Sequence, residues 1–162
     1  MSTESAAEFD RFYLARFPSL CRSIFLACGD WSKAEDATQE AFIRAWQRWR
    51  TMENDDPVAW VRTVAWRICL DDMRSRRRLV RALHRLRDEH AEPTHNAALS
   101  EVLELFEPLS PSLRPVAVLH YADDLSIQQI SELLEIPEGT VKSRLSRARD
   151  VLRSTDQSAA KE

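Results

Sequence analysis

The polar side chains of residues 139–153, near the C-terminal end of the chain, are of types that bind nucleic acid. The apolar residues of this segment recur at steps of four, three and four, the spacing of one stripe along an α-helix: Val141, Leu145, Ala148 and Leu152. The cations and hydroxyls lie off that stripe: Lys142, Ser143, Ser146, Arg147, Arg149 and Arg153. Such a helix can pack its apolar edge on a domain and present positive charge and hydrogen-bond donors to a nucleic-acid groove.

The residues before this helix predict a second helix and a tight turn. Ser126 and Gln129 have the spacing of a capping box, which predicts a helix from about Ile127. Its buried side is expected to consist of Ile130, Leu133 and Leu134. Pro137 suits the first position of the following helix, and Gly139, which lacks a Cβ, is expected to let the two helices approach closely. The pattern is that of a helix-turn-helix, and its alternative is an αα-hairpin with a solvated basic face.

A second group of nucleic-acid-binding residue types lies in a helix expected from Pro57 to about Arg78. Asp56 before Pro57 has the pattern of a cap followed by proline at the first helical position. The helix begins with aromatic and aliphatic residues and ends in a cluster of arginines that continues beyond it: Arg74, Arg76, Arg77, Arg78, Arg81, Arg85 and Arg87. Rings stack on unpaired bases and guanidinium groups pair with phosphates, so the segment favours single-stranded nucleic acid. Trp60 taken alone favours a core position, whereas the arginines favour phosphate contact.

The composition predicts an all-α protein. The chain of 162 residues is long enough for one ordinary domain or two small helical ones, and it contains only two glycines. Alanine, leucine, arginine and glutamate, which are good helix formers, are abundant. No segment approaches the length of a membrane span, and no basic segment followed by an apolar one begins the chain. We therefore expect a cytoplasmic protein without direct membrane insertion.

The residue types used in catalysis and metal binding have no suitable arrangement in the sequence. The three cysteines, an odd number, fit a reducing compartment, and buried thiols are the favoured interpretation of Cys21, Cys28 and Cys69. The four histidines have no metal-ligand spacing with them: His84, His90, His95 and His120. We therefore expect no metal site, no cofactor, no small-molecule substrate and no enzymatic activity.

The charges are distributed in blocks along a chain whose net charge is −3. Residues 1–56 carry 7 basic and 10 acidic side chains, residues 57–90 carry 9 and 4, residues 91–137 carry 1 and 8, and residues 138–162 carry 6 and 4. Two basic blocks separated by an acidic one predict two contacts with an anionic polymer. Residues 91–96 have the composition of a linker, which divides the chain into domains at 5–90 and 97–155.

The remaining segments are also predicted to be helical. Apolar residues follow a helical stripe from Phe9 to Cys28, and Pro18 is expected to kink this helix or to divide it into two abutting helices. Gly29-Asp30 ends the segment. Further helices are expected over 97–106 and 111–121, the second opened by a cap-then-proline pattern at Ser110-Pro111.

The helix after Gly29 is predicted from a second capping box, formed by Ser32 and Glu35, and it is expected to run to about Trp49. The residues expected to pack inward are mostly small: Ala34, Ala37, Ala41, Phe42 and Ala45. The opposite side carries Asp36, Gln39, Glu40 and Arg44. Periodicity alone does not distinguish a docking surface from a solvated face here.

Three blocks of the sequence resemble the group-four, extracytoplasmic-function RNA polymerase sigma factors of bacteria. The blocks are Ala34 to Phe42 with Ala45-Trp46, then Pro57 to Val61 through Asp71 and Arg74, then Leu125 through Arg144 with Arg147-Ala148-Arg149. The resemblance covers about residues 6–154, and the order and spacing of the blocks are specific. It implies two small helical domains, an N-terminal region 2-like domain over 5–90 and a C-terminal region 4-like helix-turn-helix domain over 97–155.

The resemblance also implies a role for each block, carried over by position. The first block docks on the clamp helices of the largest polymerase subunit through Asp36, Gln39, Glu40 and Arg44. The second binds the minus-ten promoter element and a flipped-out base of the non-template strand through Asn54, Asp56, Trp60, Arg62, Thr63, Arg67, Arg74, Arg76 and Arg77. The third reads the minus-thirty-five element in the major groove: Lys142, Ser143, Ser146 and Arg147 face base edges, and Thr140, Arg144 and Arg149 lie nearer phosphates.

Sequence departures from the family pattern lie at three places. Arg67 stands where the family often has asparagine, near the captured base, and Gln129 stands where glutamate is frequent. The usual Leu-Pro opening of the C-terminal domain is Leu109-Ser110 here, with proline displaced to Pro111.

The implied partners are core RNA polymerase, promoter DNA and an inhibitory anti-sigma factor. On the polymerase these are the clamp helices of the largest subunit and the flap of the second-largest subunit. On the DNA they are the duplex and the non-template single strand. A dimeric helix-turn-helix repressor or activator, and a helical adaptor that sequesters a protein through its acidic segment, are the alternatives. Neither alternative explains all three blocks.

Overall fold

The structure, a computed structural model, describes residues 3–52, 56–83 and 97–159. The chain divides into two compact units, Met1–Glu92 and Pro93–Glu162. All regular secondary structure of the described residues is helical, which confirms the predicted all-α class. Three helices and a short 3₁₀ helix form the N-terminal unit: α1 (Thr3–Cys28), α2 (Trp31–Arg48), the 3₁₀ helix (Trp49–Thr51) and α3 (Pro57–Leu83). Four helices form the C-terminal unit: α4 (Ala97–Phe106), α5 (Arg114–Tyr121), α6 (Ile127–Leu134) and α7 (Glu138–Ala159).

The core of the N-terminal unit lies where α1, α2 and α3 pack on one another. As predicted, α2 buries its alanines and Phe42, and the small alanine side chains allow the three helices to approach closely. Large side chains fill the rest of this core: Ile24, Phe25, Val61 and Trp66. Aromatic rings continue the core between α1 and α2, with Phe9 4.8 Å from Trp46 and Phe12 5.2 Å from Trp49 between ring centroids.

Helix α1 is one helix that contains Pro18, so of the two expected outcomes, a kink or a division into two abutting helices, the division is excluded. Proline removes the hydrogen bond to the carbonyl four residues earlier, which belongs to Leu14. Both Pro18 and Leu14 are exposed, so water can bind that carbonyl and the helix continues. As predicted, α1 ends before Gly29, whose φ of 71° is in the left-handed region and whose N–H donates to the Phe25 carbonyl at 2.7 Å.

The N-terminal cap of α2 is Asp30, so the capping box predicted from Ser32 and Glu35 is wrong. Asp30 Oδ1 accepts the backbone N–H of Lys33 at 3.1 Å. Aspartate caps a helix as well as serine does, and it directly follows the glycine that ends α1. Only Gly29 and Asp30 therefore separate the two helices, and Ser32 already lies in the first turn of α2.

Replacement of Asp30 by alanine is expected to destabilise the N-terminal unit by about 1 kcal/mol, because an orphan amide of α2 loses its acceptor. Ser32→Ala is expected to change the free energy of unfolding by less than about 0.5 kcal/mol. All five tryptophans lie in the first 66 residues, so urea unfolding followed by tryptophan fluorescence reports on this unit. A larger loss for Ser32→Ala than for Asp30→Ala would contradict the assignment of the cap.

Asp56 caps α3, as the sequence predicts. Its Oδ1 accepts the backbone N–H groups of Val58 at 3.0 Å and Ala59 at 3.1 Å. The helix continues to Leu83, beyond the expected end near Arg78. Since the extension carries Arg81, it lengthens the arginine-rich end of the helix by more than one turn.

Helix α5 begins at Arg114, three residues after its expected start at Pro111. Residues 111–113 form a turn in which the N–H groups of Leu113 and Arg114 both donate to the Ser110 carbonyl, at 3.0 Å and 2.9 Å. Pro115 has no N–H to donate to the Pro111 carbonyl, so the turn and the helix cannot merge. Pro115 lies in the first turn of α5, as expected.

The core of the C-terminal unit joins α5, α6 and α7. Fully buried side chains from all three helices form it: Val116, Val118, Leu119, Ile130 and Val141. Residues 91–96, the expected linker, lie outside the described residues. The domain limits at 5–90 and 97–155 therefore stay a prediction.

The close helix approach predicted at Gly139 is wrong, because a Cβ built on this residue would meet no atom within 4 Å. Gly139→Ala is therefore expected to stabilise the C-terminal unit by about 0.5 kcal/mol through the higher helix propensity of alanine. Gly29→Ala is expected to destabilise the N-terminal unit by about 1 kcal/mol or more, since alanine is strained at φ 71°. Amide hydrogen exchange in α6 and α7 measures the first effect and tryptophan fluorescence the second. If amide exchange in α6 and α7 of Gly139→Ala is no slower than in the wild type, the open surroundings of this residue are contradicted.

Candidate nucleic-acid and protein interfaces

Hydrogen bonds hold both ends of α6 and the turn that leads into α7. Ser126 and Gln129 form the predicted capping box, with bonds of 3.1 Å and 2.9 Å. At the other end of α6, Glu135 has a φ of 55°, and Ser131 Oγ donates to the Ile136 carbonyl at 2.6 Å. The Pro137 carbonyl then accepts the N–H of Thr140 at 2.9 Å, so α7 starts at Glu138 and Pro137 precedes its first residue. These contacts fix the direction in which α7 leaves the turn.

Helix α7 buries its predicted stripe and exposes its polar side. Val141, Leu145 and Ala148 are buried, and Leu152 is half-buried. In the helical register, the exposed side chains opposite this stripe include Ser143, Ser146 and Arg147 and, further along the helix, the acidic Asp150. Exposed Lys142 and Arg149 border them on one edge, and half-buried Thr140 and Arg144 on the other. All seven predicted residues thus lie on or beside one face of α7.

The centre of this α7 face differs in chemistry from its edges. Ser143 Oγ donates to the Thr140 carbonyl at 3.0 Å, so its hydroxyl still has lone pairs for another partner. Among the described residues, no ion pair holds Lys142, Arg147 or Arg149. A face that carries hydroxyls and Arg147 at its centre, with Lys142, Arg144 and Arg149 at its edges, suits a groove whose floor carries base edges and whose walls carry phosphates.

Helix α3 presents a second polar face. Trp60, Thr63, Arg67 and Arg74 follow one another at steps of three, four and seven, which place them along one side of the helix. Trp60 is half-buried rather than fully in the core, and the guanidinium carbon of Arg48 lies 5.3 Å from its ring centroid. Thr63 Oγ1 donates to the Ala59 carbonyl at 2.9 Å. The ring of Trp60 therefore lies at the surface with a cation stacked above it.

The arginines of the last turns of α3 form a stripe of positive charge. Arg74, Arg77 and Arg81 are spaced by three and four residues. Burial, together with the positive charges of Arg81 and Arg74, lowers the pKa of Arg77. Arg74 also pairs with Asp71 at 3.3 Å, but both groups are well exposed and the pair can open to a phosphate.

Two of the residues assigned to the minus-ten element lie on another side of α3. Arg62 and Arg76 are placed by the helical register away from Trp60 and Arg74. Arg76 pairs with Asp72 at 3.0 Å and with Asp30 at 3.7 Å, so it joins α3 to the cap of α2. Asp56, assigned to the same element, is exposed and already serves as the α3 cap. Asn54 lies outside the described residues.

Helix α2 carries the third polar face. Asp36, Gln39 and Arg44 are exposed and Glu40 is half-buried. Arg44 Nε donates to Glu40 Oε1 at 2.7 Å, which holds the two side chains side by side. These four residues follow the spacing of one helix face, opposite the buried alanines.

The same face of α2 exposes apolar side chains that the periodicity analysis did not assign to it. Ile43 is 47% exposed and Trp46 is 39% exposed. Ile43 lies three and four residues from Glu40 and Gln39, so it adds apolar contact area to the acidic and amide groups. The sequence does indicate this residue, because Ile43 is an apolar residue that does not follow the spacing of the alanine stripe. A mixed face of this kind is typical of protein–protein interfaces.

Two other kinds of site are absent from the described part of the chain. There, no group of three or more His, Cys, Asp or Glu side chains is arranged to hold a metal ion. No helix within the described ranges combines the length and the apolar character needed to cross a bilayer.

Family models match both units of the chain. Residues 12–79 match sigma-70 region 2, and residues 99–152 match sigma-70 region 4. The first match contains the polar faces of α2 and α3, and the second contains α6 and the start of α7 through residue 152.

Individual proteins show the same similarity. The chain is 37% identical over 137 residues to the ECF RNA polymerase sigma factor SigL of Mycobacterium tuberculosis, covering 78% of this chain and 76% of SigL. It is 30% identical over 137 residues, 77% of this chain, to a probable RNA polymerase sigma factor, RfaY, of Xanthomonas campestris pv. campestris, and it spans 34% of RfaY. A solved structure, the sigma factor RpoE of Bartonella quintana in complex with the anti-sigma factor NepR, superposes with a TM-score of 0.70 at 25% identity, covering 91% of this chain and 95% of RpoE.

These similarities extend over both helical units and include each of the three polar faces. The chain therefore belongs to the sigma-70 family and is an extracytoplasmic-function RNA polymerase sigma factor, a protein of promoter recognition and transcription initiation.

Proposed function

We propose that the three polar faces divide the work of initiation among themselves. The α2 face holds core RNA polymerase, the α3 face binds melted DNA at the minus-ten element, and the α7 face reads the minus-thirty-five element. The observation that supports this most directly is that each face is exposed within its own matched region: α2 and α3 in region 2, α7 in region 4.

Helix α7 acts by direct readout in the major groove. Arg147 can donate two parallel hydrogen bonds to a guanine, and Ser143, Ser146 and Lys142 can contact neighbouring base edges. Thr140, Arg144 and Arg149 lie at or near the edges of the face, where groove walls place phosphates. The phosphate contacts make binding steeply dependent on salt, while the base contacts set the sequence.

Helix α3 acts on the non-template strand after the duplex opens. The surface ring of Trp60 offers a stacking partner for a base, and the cations of Arg67, Arg74 and Arg77 attract the backbone. Each extruded base costs a few kcal/mol of unstacking, which stacking and pocket contacts offset. Melting is thus driven by binding, and the protein contributes no catalytic group of its own.

Helix α2 acts as the polymerase docking surface. The carboxylates of Asp36 and Glu40, the amide of Gln39 and the paired Arg44 provide polar contacts, and Ile43 provides apolar area beside them. The clamp helices of the largest subunit are the proposed partner, and the flap of the second-largest subunit is proposed to contact the C-terminal unit. These partners place the protein in the cytoplasm.

An anti-sigma factor is the further partner that we propose. The RpoE structure contains NepR bound to a sigma factor that matches nearly the whole length of this chain. A protein that covers the α2 face would block polymerase and so silence the promoter.

Run-off transcription with purified sigma-free core polymerase tests the proposed function. Addition of the chain is expected to produce discrete transcripts from a subset of genomic templates, and sequencing of their start sites is expected to reveal one pair of spaced elements. Transcription that begins at the same sites with and without the chain would overturn the proposal.

A further inference from the structure

A cavity of about 370 Å³ in the N-terminal unit brings sulfur atoms together. Cys28 lines it from the end of α1, and Cys69 and Met73 line it from α3. Cys69 Sγ lies 3.9 Å from Met73 Sδ, and the Cys28 and Cys69 thiols are in hydrogen-bonding contact. Neither cysteine forms a disulfide, and Cys28 Sγ donates to the Asp30 carbonyl at 3.3 Å. Two thiols and a thioether thus meet at one accessible cavity.

We propose that Cys28, Cys69 and Met73 form a binding site for a soft d¹⁰ cation of the Cu(I) type. Thiolate and thioether sulfurs are the donors that such cations select, whereas carboxylates suit harder ions. Binding replaces the two thiol protons with two sulfur–copper bonds, releases both protons, and changes no oxidation state. The thioether adds the third ligand.

The surroundings of the sulfurs favour metal binding by the thiols over their oxidation. The hydrogen bond with Cys28, and then burial, raise the pKa of Cys69, so this thiol attacks oxidants slowly. A Cu(I) ion with two thiolates carries one net negative charge. Lys33 and Arg76 line the same cavity together with Asp36, Glu40 and Asp72, and both cations pair with Asp72, at 3.6 Å and 3.0 Å.

Competition against bathocuproine disulfonate, performed on the full chain without oxygen and with ascorbate present, tests the site. The wild-type chain is expected to withdraw one equivalent of Cu(I) from this chelator. Cys28→Ser is expected to weaken binding by more than about 100-fold, and Met73→Leu by about tenfold. Serine keeps a donor for the Asp30 carbonyl and leucine conserves volume, so both variants are expected to fold.

Cys21→Ala provides the control, because Cys21 is buried and does not line the cavity. Its copper affinity is expected to equal that of the wild type. No copper uptake, equal uptake by Cys28→Ser, or nitrogen ligands in the X-ray absorption spectrum of the loaded chain would overturn the site.

Asp36 and Glu40 line the same cavity, so occupancy is expected to alter the polymerase docking surface. This consequence rests on the proposed function. Copper-loaded wild type is expected to bind core polymerase about tenfold more weakly than the metal-free chain, with no change for Cys28→Ser. Equal affinities would overturn the coupling. Failure of the metal-free chain to bind polymerase would instead overturn the proposed function. The copper titration would still test the metal site, because it does not depend on polymerase.

Discussion

Replacement of Glu40 by lysine is expected to weaken binding to core RNA polymerase by at least about 100-fold. Glu40 is half-buried on the proposed docking face and its carboxylate is held in place by Arg44 at 2.7 Å. Lysine reverses the charge beside Asp36 and repels Arg44 one helical turn away. A partner surface shaped for a carboxylate then faces a cation that it cannot pair. Co-purification with tagged core polymerase, followed by titration, measures the loss.

The fold of the Glu40→Lys variant is expected to be unchanged. The Glu40–Arg44 pair is about half exposed, so its removal costs no more than about 0.5 kcal/mol of stability. Glu35→Lys is the matched control, because Glu35 is exposed on the same helix but lies outside the docking face. Polymerase binding by Glu40→Lys at the level of Glu35→Lys would remove α2 from the docking surface.

Local sequence rules predicted those parts of the fold that depend on neighbouring residues. The Ser126–Gln129 capping box, the Asp56 cap and the alanine stripe of α2 each follow from residues within one or two turns, and the structure contains all three. The α2 cap could not be distinguished in the same way. Asp30 and Ser32 are both good caps two residues apart, and the choice depends on how tightly α1 and α2 meet.

Tertiary surroundings decide those features of the fold that local sequence rules did not predict. Proline is compatible with α1 because Leu14 faces solvent, and exposure on a long helix cannot be known before its packing partners are. A Cβ on Gly139 would meet open space, which no local sequence pattern states.

The helical register distinguishes candidate site residues that have the same residue type. Arg74, Arg76 and Arg77 are identical in chemistry and nearly adjacent in sequence. Arg76 nevertheless pairs with Asp30, the α2 cap, and with Asp72 of α3, whereas Arg74 and Arg77 belong to the stripe with Arg81. Arg48 could not be assigned from sequence, because its position over Trp60 depends on how α2 and α3 pack.

Replacement of Arg147 by alanine is expected to reduce discrimination between the correct and a scrambled minus-thirty-five element by about 1 to 3 kcal/mol, while polymerase binding is unchanged. Arg147 lies at the centre of the exposed α7 face, and no ion pair within the described residues holds its guanidinium. The two hydrogen bonds that it can give to one guanine disappear with the side chain. Promoter binding by the reconstituted holoenzyme, measured on both templates, gives the discrimination.

Arg149→Ala is the matched control for Arg147→Ala, since it removes the same charge from the same helix at the edge of the face. A phosphate contact carries no sequence information, so Arg149→Ala is expected to weaken binding equally on the correct and scrambled elements and to reduce the salt dependence. The ratio of the affinities for the correct and scrambled templates therefore distinguishes a base contact from a phosphate contact. Equal losses on both templates for Arg147→Ala would assign Arg147 to the phosphates, and base recognition would then depend on Lys142, Ser143 and Ser146.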